Sequence, residues 1–204
     1  MYKRQHSFDV PGFEADDVLA TLAVELAGAG QHVRIVTGDR DLFQIVRERI
    51  DVMFVGSRGR KPVIYDRAAV ERRFGLRPEQ LPSRTALAGD ASDNLPKVPG
   101  IGERGAEALV RSFGDVHSLL SQLSSVTPTR VREALERAAG QIRTTEQLAR
   151  LRQDVPLPAG PRYAPVTAAS AAQLRELFIA LEFKSLLPRL ADVVSLSELA
   201  PVAG

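Results

Sequence analysis

Every strand signal in this chain lies ahead of Asp66, and everything after it reads as helix or turn. That segregation confines the fold to an α/β part followed by an all-helical part. Val33-Arg34-Ile35-Val36-Thr37 is a short β-branched run, and Asp51 to Val55 and Val63 to Tyr65 read as two further strands around Gly56-Ser57-Arg58-Gly59. Upstream, Val18, Leu19, Leu22 and Leu26 recur at helical spacing from Ala15 to Ala29, where Gly28 and Gly30 stop the run. Gly38-Asp39 turns the first strand into a helix near Asp41 to Val46. Such alternation predicts a mostly parallel sheet with helices on its faces. Beyond Asp66, helices are predicted over 67–74, 83–88, 103–113, 128–139, 141–152 and 170–182, with Pro156 to Pro165 as an extended connector. The expected division is a partial α/β core over 7–66, a helical part over 67–190 and a tail over 191–204.

Three tight groups of acids sit at the boundaries of these elements: Glu14, Asp16 and Asp17; Asp39 and Asp41; Asp90 and Asp93. Two unit charges ~4 Å apart repel by roughly 4 kcal/mol at an effective dielectric near 20. If the groups converge, a cation must hold them. Each group also has a local reading, as acids at a helix start or as Asx turns. The joint pattern favours convergence. Asp39 and Asp41 follow a predicted parallel strand, and ligands of open α/β sheets bind at the carboxyl ends of strands.

Composition narrows the cation. The chain has no cysteine and three histidines, His6, His32 and His117, with no pair at ligand-like spacing. Disulfides, thiolate sites and Cys nucleophiles are excluded. Oxygen donors favour Mg²⁺ or Mn²⁺ over Zn²⁺, and two such ions would suit a set of seven acids. With those seven removed from the 25 acids, 18 remain against 27 Lys and Arg, a surplus of about nine. An acidic pocket on a basic body suits a polyanion cleaved at the pocket. No apolar run reaches the ~18 residues of a membrane span and no signal peptide opens the chain, so a cytoplasmic protein without a membrane is expected.

Val98-Pro99-Gly100-Ile101-Gly102 precedes a helix whose Ala106, Leu109, Val110 and Phe113 point inward. Two glycines allow close backbone approach, and a helix start offers unpaired amides and a positive dipole end. A phosphate gripped by Gly100, Ile101 and Gly102, with Lys97 and Arg104 as flanking charges, is the expected occupant; a turn needing Gly for geometry alone is the other reading.

On three motifs the chain resembles the 5′-nuclease family, the 5′→3′ exonuclease domain of bacterial DNA polymerase I and its free-standing, flap-cutting relatives. They are Gly12-Phe13-Glu14-Ala15-Asp16-Asp17, Thr37-Gly38-Asp39-Arg40-Asp41-Leu42 and Leu87-Ala88-Gly89-Asp90-Ala91-Ser92-Asp93-Asn94. Pro99-Gly100-Ile101-Gly102 and Leu181-Glu182-Phe183-Lys184-Ser185-Leu186 follow in family order. The resemblance implies a PIN-like, resolvase-like α/β fold, incomplete at its N-terminus, and a helix–hairpin–helix around 95–114. It matches Glu14 and Asp16, with Asp17 beside them, to a first metal, and Asp39, Asp41, Asp90 and Asp93 to a second. Asp16, Asp17, Asp39 and Asp41 are the implied catalytic residues. It further implies K⁺ at the hairpin, DNA with 5′ ends or 5′ flaps as partner, a monomer, and a functional link to a DNA polymerase in replication and repair. One departure stands out: the family's upstream strand, two aspartates and basic arch are missing, with only 13 residues ahead of Glu14. The resemblance therefore predicts an amino-terminally truncated chain with impaired cleavage, and Met1 to Gln5 carries no family signal. A non-catalytic duplex-DNA-binding module is the alternative; a smaller RNA-cutting PIN-like toxin fits less well, lacking a hairpin after the acids.

Overall fold

The computed structural model describes residues 7–56, 61–158 and 168–190. Asp9–Leu157 form one compact unit, and Pro158–Gly204 with Met1–Phe8 form a second.

Helix α1 (Ala15–Gly28) leads into strand β1 (Val33–Thr37), a 3-10 turn (Asp41–Ile45), β2 (Ile50–Phe54) and β3 (Val63–Tyr65). The three strands form one sheet in the order β1-β2-β3. β1 and β2 are parallel, with Ile35 opposite Val52, whereas β2 and β3 are antiparallel, with Val52 opposite Tyr65. The expected mostly parallel sheet is thus mixed among the described residues, because only eight residues separate β2 from β3 and a parallel crossover needs a dozen or more. Ile35, Val52 and Tyr65 share the buried face, where the Phe43 ring lies 4.5 Å from Tyr65 and 5.6 Å from Phe54. The helix expected near Asp41 to Val46 is a 3-10 turn over Asp41–Ile45, with Leu42, Phe43 and Ile45 all buried.

In α1 the fully buried residues are Val18, Ala20, Thr21 and Ala23, while Leu22 and Leu26 are half-buried. The small residues, not the leucines, face the sheet, which lets the helix approach closely.

On the opposite sheet face Arg34 pairs across strands with Asp51. Its Nε and Nη2 donate to the two carboxylate oxygens at 2.6 and 2.9 Å. Asp51 is only 7% exposed, and the Arg34 hydrogen bond pulls its carboxyl below the usual carboxylate range. A depressed carboxylate contributes stability that is complete above its unfolded pKa and lost as pH falls through the folded one. Arg34→Ala should therefore lower the melting temperature at pH 7. The gap to wild type should close in acid, where Asp51 is protonated in both. A pH-independent gap would refute the pairing role.

The helical part runs through α2 (Arg67–Phe74), α3 (Leu81–Ala88), α4 (Glu103–Phe113), α5 (Val116–Ser121), α6 (Thr129–Ala149) and, in the second unit, α7 (Ala168–Ala180). Asp66 caps α2 by accepting from the Ala69 amide at 2.7 Å, and Gly75 ends it at φ 63°. α5 was invisible in the sequence; six residues are too few for a periodicity, and its signal is the Asp115 cap on Ser118. The segments predicted at 128–139 and 141–152 are one helix of 21 residues. Gly140 does not break it, because a mid-helix glycine costs only ~1 kcal/mol. The buried stripe Leu135, Ala138, Ile142, Thr145 and Ala149 runs straight past that position. The expected connector over Pro156 to Pro165 lies largely outside the described residues.

Candidate metal centre

Two tight turns set the acids. Asp39 follows β1, and its Oδ1 accepts the Asp41 amide at 2.9 Å, while its own amide donates to Thr37 Oγ1 at 2.9 Å. Asp90 repeats the device: its Oδ1 accepts the Ser92 amide at 2.8 Å and the Ser92 hydroxyl. These are Asx turns, in which a short carboxylate replaces a backbone acceptor two residues on. The Asp90 loop is closed by a two-way backbone pairing, Asp90 N–H to Leu95 O at 3.0 Å and Leu95 N–H to Asp90 O at 2.7 Å.

Asp41, Asp90 and Asp93 each bring a carboxylate oxygen within 4.8 Å of the others. With Asp39 they line a cleft of about 1060 Å³. Half-burial, followed by the charges of Asp39, Asp93, Asp90 and Asp16, pushes the Asp41 carboxyl up to about 7. Asp16 is raised by its own burial, then by Asp39, Glu14, Asp17 and Asp93. Asp90 moves the other way, held down first by the Ser92 hydroxyl and also by the charge of Arg40. The acids of α1 thus share a field with those after β1 and α3.

The α1 group does not gather at ligand spacing. Glu14 is the exposed N-cap of α1 and makes no side-chain cap bond. Asp17 Oδ1 accepts the Arg152 amide at 2.8 Å, which ties α1 to the segment after α6. Among the described residues, one carboxylate trio has the spacing of a single-ion site. Its donors are hard oxygens only, a set that fits Mg²⁺ or Mn²⁺.

The glycine turn lies between α3 and α4. Gly100 has φ 81°, which requires glycine, whereas Gly102 has φ −98° and would accommodate a Cβ with nothing within 4 Å. The backbone at Gly102 is therefore openly approachable. Ile101 is 4% exposed and anchors the turn in the core, and its N–H already donates to Val98 O at 3.0 Å. The amides left for a ligand are those of the first turn of α4. Lys97 and Arg104 are exposed on either side of the turn. Val98 N–H donates to Leu87 O, so turn and acid loop share one frame.

Sequence reasoning did not single out Thr37, Ser92, Arg40 and Arg152. Thr37 and Ser92 stood within the quoted motifs, two residues from an aspartate; Arg152 carried no local signal.

Two family descriptions cover most of the chain. The description "5′-3′ exonuclease, N-terminal resolvase-like domain" matches residues 4–75, and "5′-3′ exonuclease, C-terminal SAM fold" matches 76–172. The first match takes in Arg4 and Gln5, which carried no family signal by eye. The thermostable DNA polymerase I of Thermus thermophilus is 41% identical over 181 residues, 88% of this chain but 21% of the polymerase. Two solved T5 structures superpose with a TM-score of 0.62 at 25% identity over 71% of this chain. One is a T5 protein co-crystallized with metal ions, of which 52% is covered; the other is a T5 5′-exonuclease mutant, of which 58% is covered. This chain thus spans about a fifth of the polymerase it matches. Matched end to end from residue 4 to residue 172 by both family domains, the chain belongs to the 5′-3′ exonuclease family.

Proposed function

We propose that this chain hydrolyses DNA phosphodiester bonds at 5′ ends or 5′ flaps with Mg²⁺ or Mn²⁺. The observation that carries the reading is the carboxylate trio lining a cleft, with Asp90 and Asp93 in a loop bonded to the glycine-turn segment. In that cleft Asp41, Asp90 and Asp93 would hold a divalent ion. Asp16 and Glu14, with Asp17 behind them, would complete a second site once cation charge offsets their repulsion. Bound divalent ions supply a water acidic enough to ionise near neutral pH and charge stabilisation for the leaving oxygen.

The protein's own groups orient and exclude. Asp39 fixes the Asp41 backbone and so the direction of that carboxylate. Ser92 pins Asp90 and keeps it ionised near neutral pH, ready to bind a cation. Asp41, raised to about 7, must lose its proton before it can hold an ion, so uptake should strengthen as pH rises through neutrality. The turn around Gly100 and Gly102, read as a helix–hairpin–helix, would hold duplex phosphates, with K⁺ as a further occupant. Lys97 and Arg104 would add charge there without reading bases. The reading extends to a monomeric, cytoplasmic role in replication and repair beside a DNA polymerase, supported by the likeness to a polymerase's exonuclease region.

The test is release of labelled nucleotides from a 5′-flap duplex with Mg²⁺, Mn²⁺ or chelator. Divalent-dependent cleavage is expected. Duplex binding with a steep salt slope and no cleavage under any divalent ion would replace this reading with a binding module. That alternative draws its support from the α1 acids standing apart from the trio.

A further inference from the structure

The acid-lined cleft is also lined by Arg40, whose charge acts on Asp90, and by Lys61, Arg73 and Arg84. Arg84 is satisfied: it pairs with Glu103 at 3.1 Å and Glu107 at 3.0 Å, which fastens α3 to α4. Arg73 is different. Its Nη1 donates to the Tyr65 hydroxyl at 2.7 Å, and its guanidinium stacks 5.3 Å from the Phe74 ring centre. Tyr65 is itself buried against Phe43, so the hydroxyl that holds Arg73 is fixed by the core. Yet no carboxylate pairs with Arg73 among the described residues, although Arg67, Arg77 and Arg84 nearby all have one. The result is an exposed cation, fixed in direction, facing a cleft lined by six carboxylates, of which Glu103 and Glu107 are paired with Arg84.

We propose that Arg73, positioned by Tyr65 and Phe74, binds a phosphodiester of the strand that enters the acid-lined cleft. The chemical need is plain. Asp39, Asp41, Asp90 and Asp93 repel a polyanion until cations arrive, and a guanidinium in the same cleft offsets part of that repulsion. Arginine suits this place, because its planar fork grips a phosphate through two parallel N–H bonds while its face rests on an aromatic ring. Lys61, exposed at the same cleft, adds unoriented charge. The site differs from the glycine turn, since it holds the strand at the reacting end and not the duplex behind it. It deepens the nuclease reading and rests on that reading for the identity of the strand, but its binding role does not require turnover.

The experiment measures affinity for a short single-stranded DNA and for a 5′-flap duplex across a salt series in chelator, with cleavage in Mg²⁺ scored separately. Arg73→Ala should weaken binding roughly tenfold and flatten the log–log salt slope by about 0.7 to 0.9, the release expected for one phosphate contact. Arg73→Lys should keep the slope and lose part of the affinity, because charge remains and the fork does not. Arg72→Ala, one residue away on α2 and not lining the cleft, should change neither. Unchanged affinity and slope in Arg73→Ala, with wild type cleaving, would overturn the phosphate site and leave the nuclease reading intact. The expected losses without wild-type cleavage would uphold the site and overturn the nuclease reading. Failure of the wild type to bind either DNA in chelator would overturn the phosphate site, and absence of cleavage alongside it would overturn the nuclease reading as well.

Discussion

Asp41→Asn should abolish divalent-ion uptake at the carboxylate trio and at the same time raise the melting temperature of the metal-free protein above pH 7. Asp41 is the member of the trio most penalised by its surroundings, half-buried and facing Asp39, Asp90, Asp93 and Asp16. Partners that merely orient metal ligands are worth 10–100-fold in affinity or activity, so losing a ligand itself should cost at least ~100-fold. The sign of the stability change follows from the raised carboxyl. Between its ordinary value of 3.8 and about 7 the folded protein holds a proton that the unfolded chain has released. Stability therefore falls as pH rises across that window, and the whole penalty is present above it. Asn carries no such penalty, so the variant's advantage should open between pH 4 and 7 and then level off. Adding Mn²⁺ at pH 8 should raise the wild-type melting temperature and leave the variant unmoved. Equal Mn²⁺ isotherms for the two proteins would remove Asp41 from any metal site, and a pH-independent gap would remove the charge penalty assigned to it.

Gly89→Ala should be the most damaging single-methyl change in the acid loop. Gly89 combines φ 72° with ψ 171°, a conformation essentially confined to glycine. A Cβ there would lie 2.7 Å from the Lys97 nitrogen and 2.8 Å from the Leu95 oxygen, both backbone atoms that cannot swing aside. Strain and clash together should cost on the order of 3 kcal/mol, or roughly 10 °C in melting temperature for a chain of this size. Relief requires parting the Asp90–Leu95 pairing, so divalent-ion uptake should fall with stability. Gly100→Ala is the informative comparison: φ is 81°, but the space is open, so only backbone strain of about 1–2 kcal/mol applies. If the two variants melt together, the close approach of Lys97 and Leu95 has no energetic weight.

Local signals carried as far as local physics reaches. Val33–Thr37 and Val63–Tyr65 form strands where β-branching placed them, and Ala106 and Val110 are buried in α4 as periodicity required. Asp39 and Asp90 lay at element boundaries because Asx turns belong there. What could not be read depends on partners far along the chain. The direction of β3 is set by how little chain separates it from β2. The continuity of α6 depends on a buried stripe that outweighs Gly140. Asp17 is engaged by an amide 135 residues away, and no spacing rule links it to Arg152. Arg73 is oriented by Tyr65, on another element, and no spacing rule links the two.

The far end of α6 joins regions that the sequence divides into two family domains. Gln44, in the turn that carries Asp41, donates to Ala149 O at 3.0 Å and accepts from the Leu151 amide at 3.0 Å, so its carboxamide finishes the helix. Thr21 accepts the Val155 amide at 3.2 Å a few residues on. Midway along the same helix, Gln141 donates to Pro96 O beside the glycine turn. α6, roughly 30 Å long, is thereby a strut pinned to both parts. The glycine-turn segment and the turn that carries Asp41 are thus held at two points of one helix, eight residues or about 12 Å apart, so their separation follows that of two positions on a single rod.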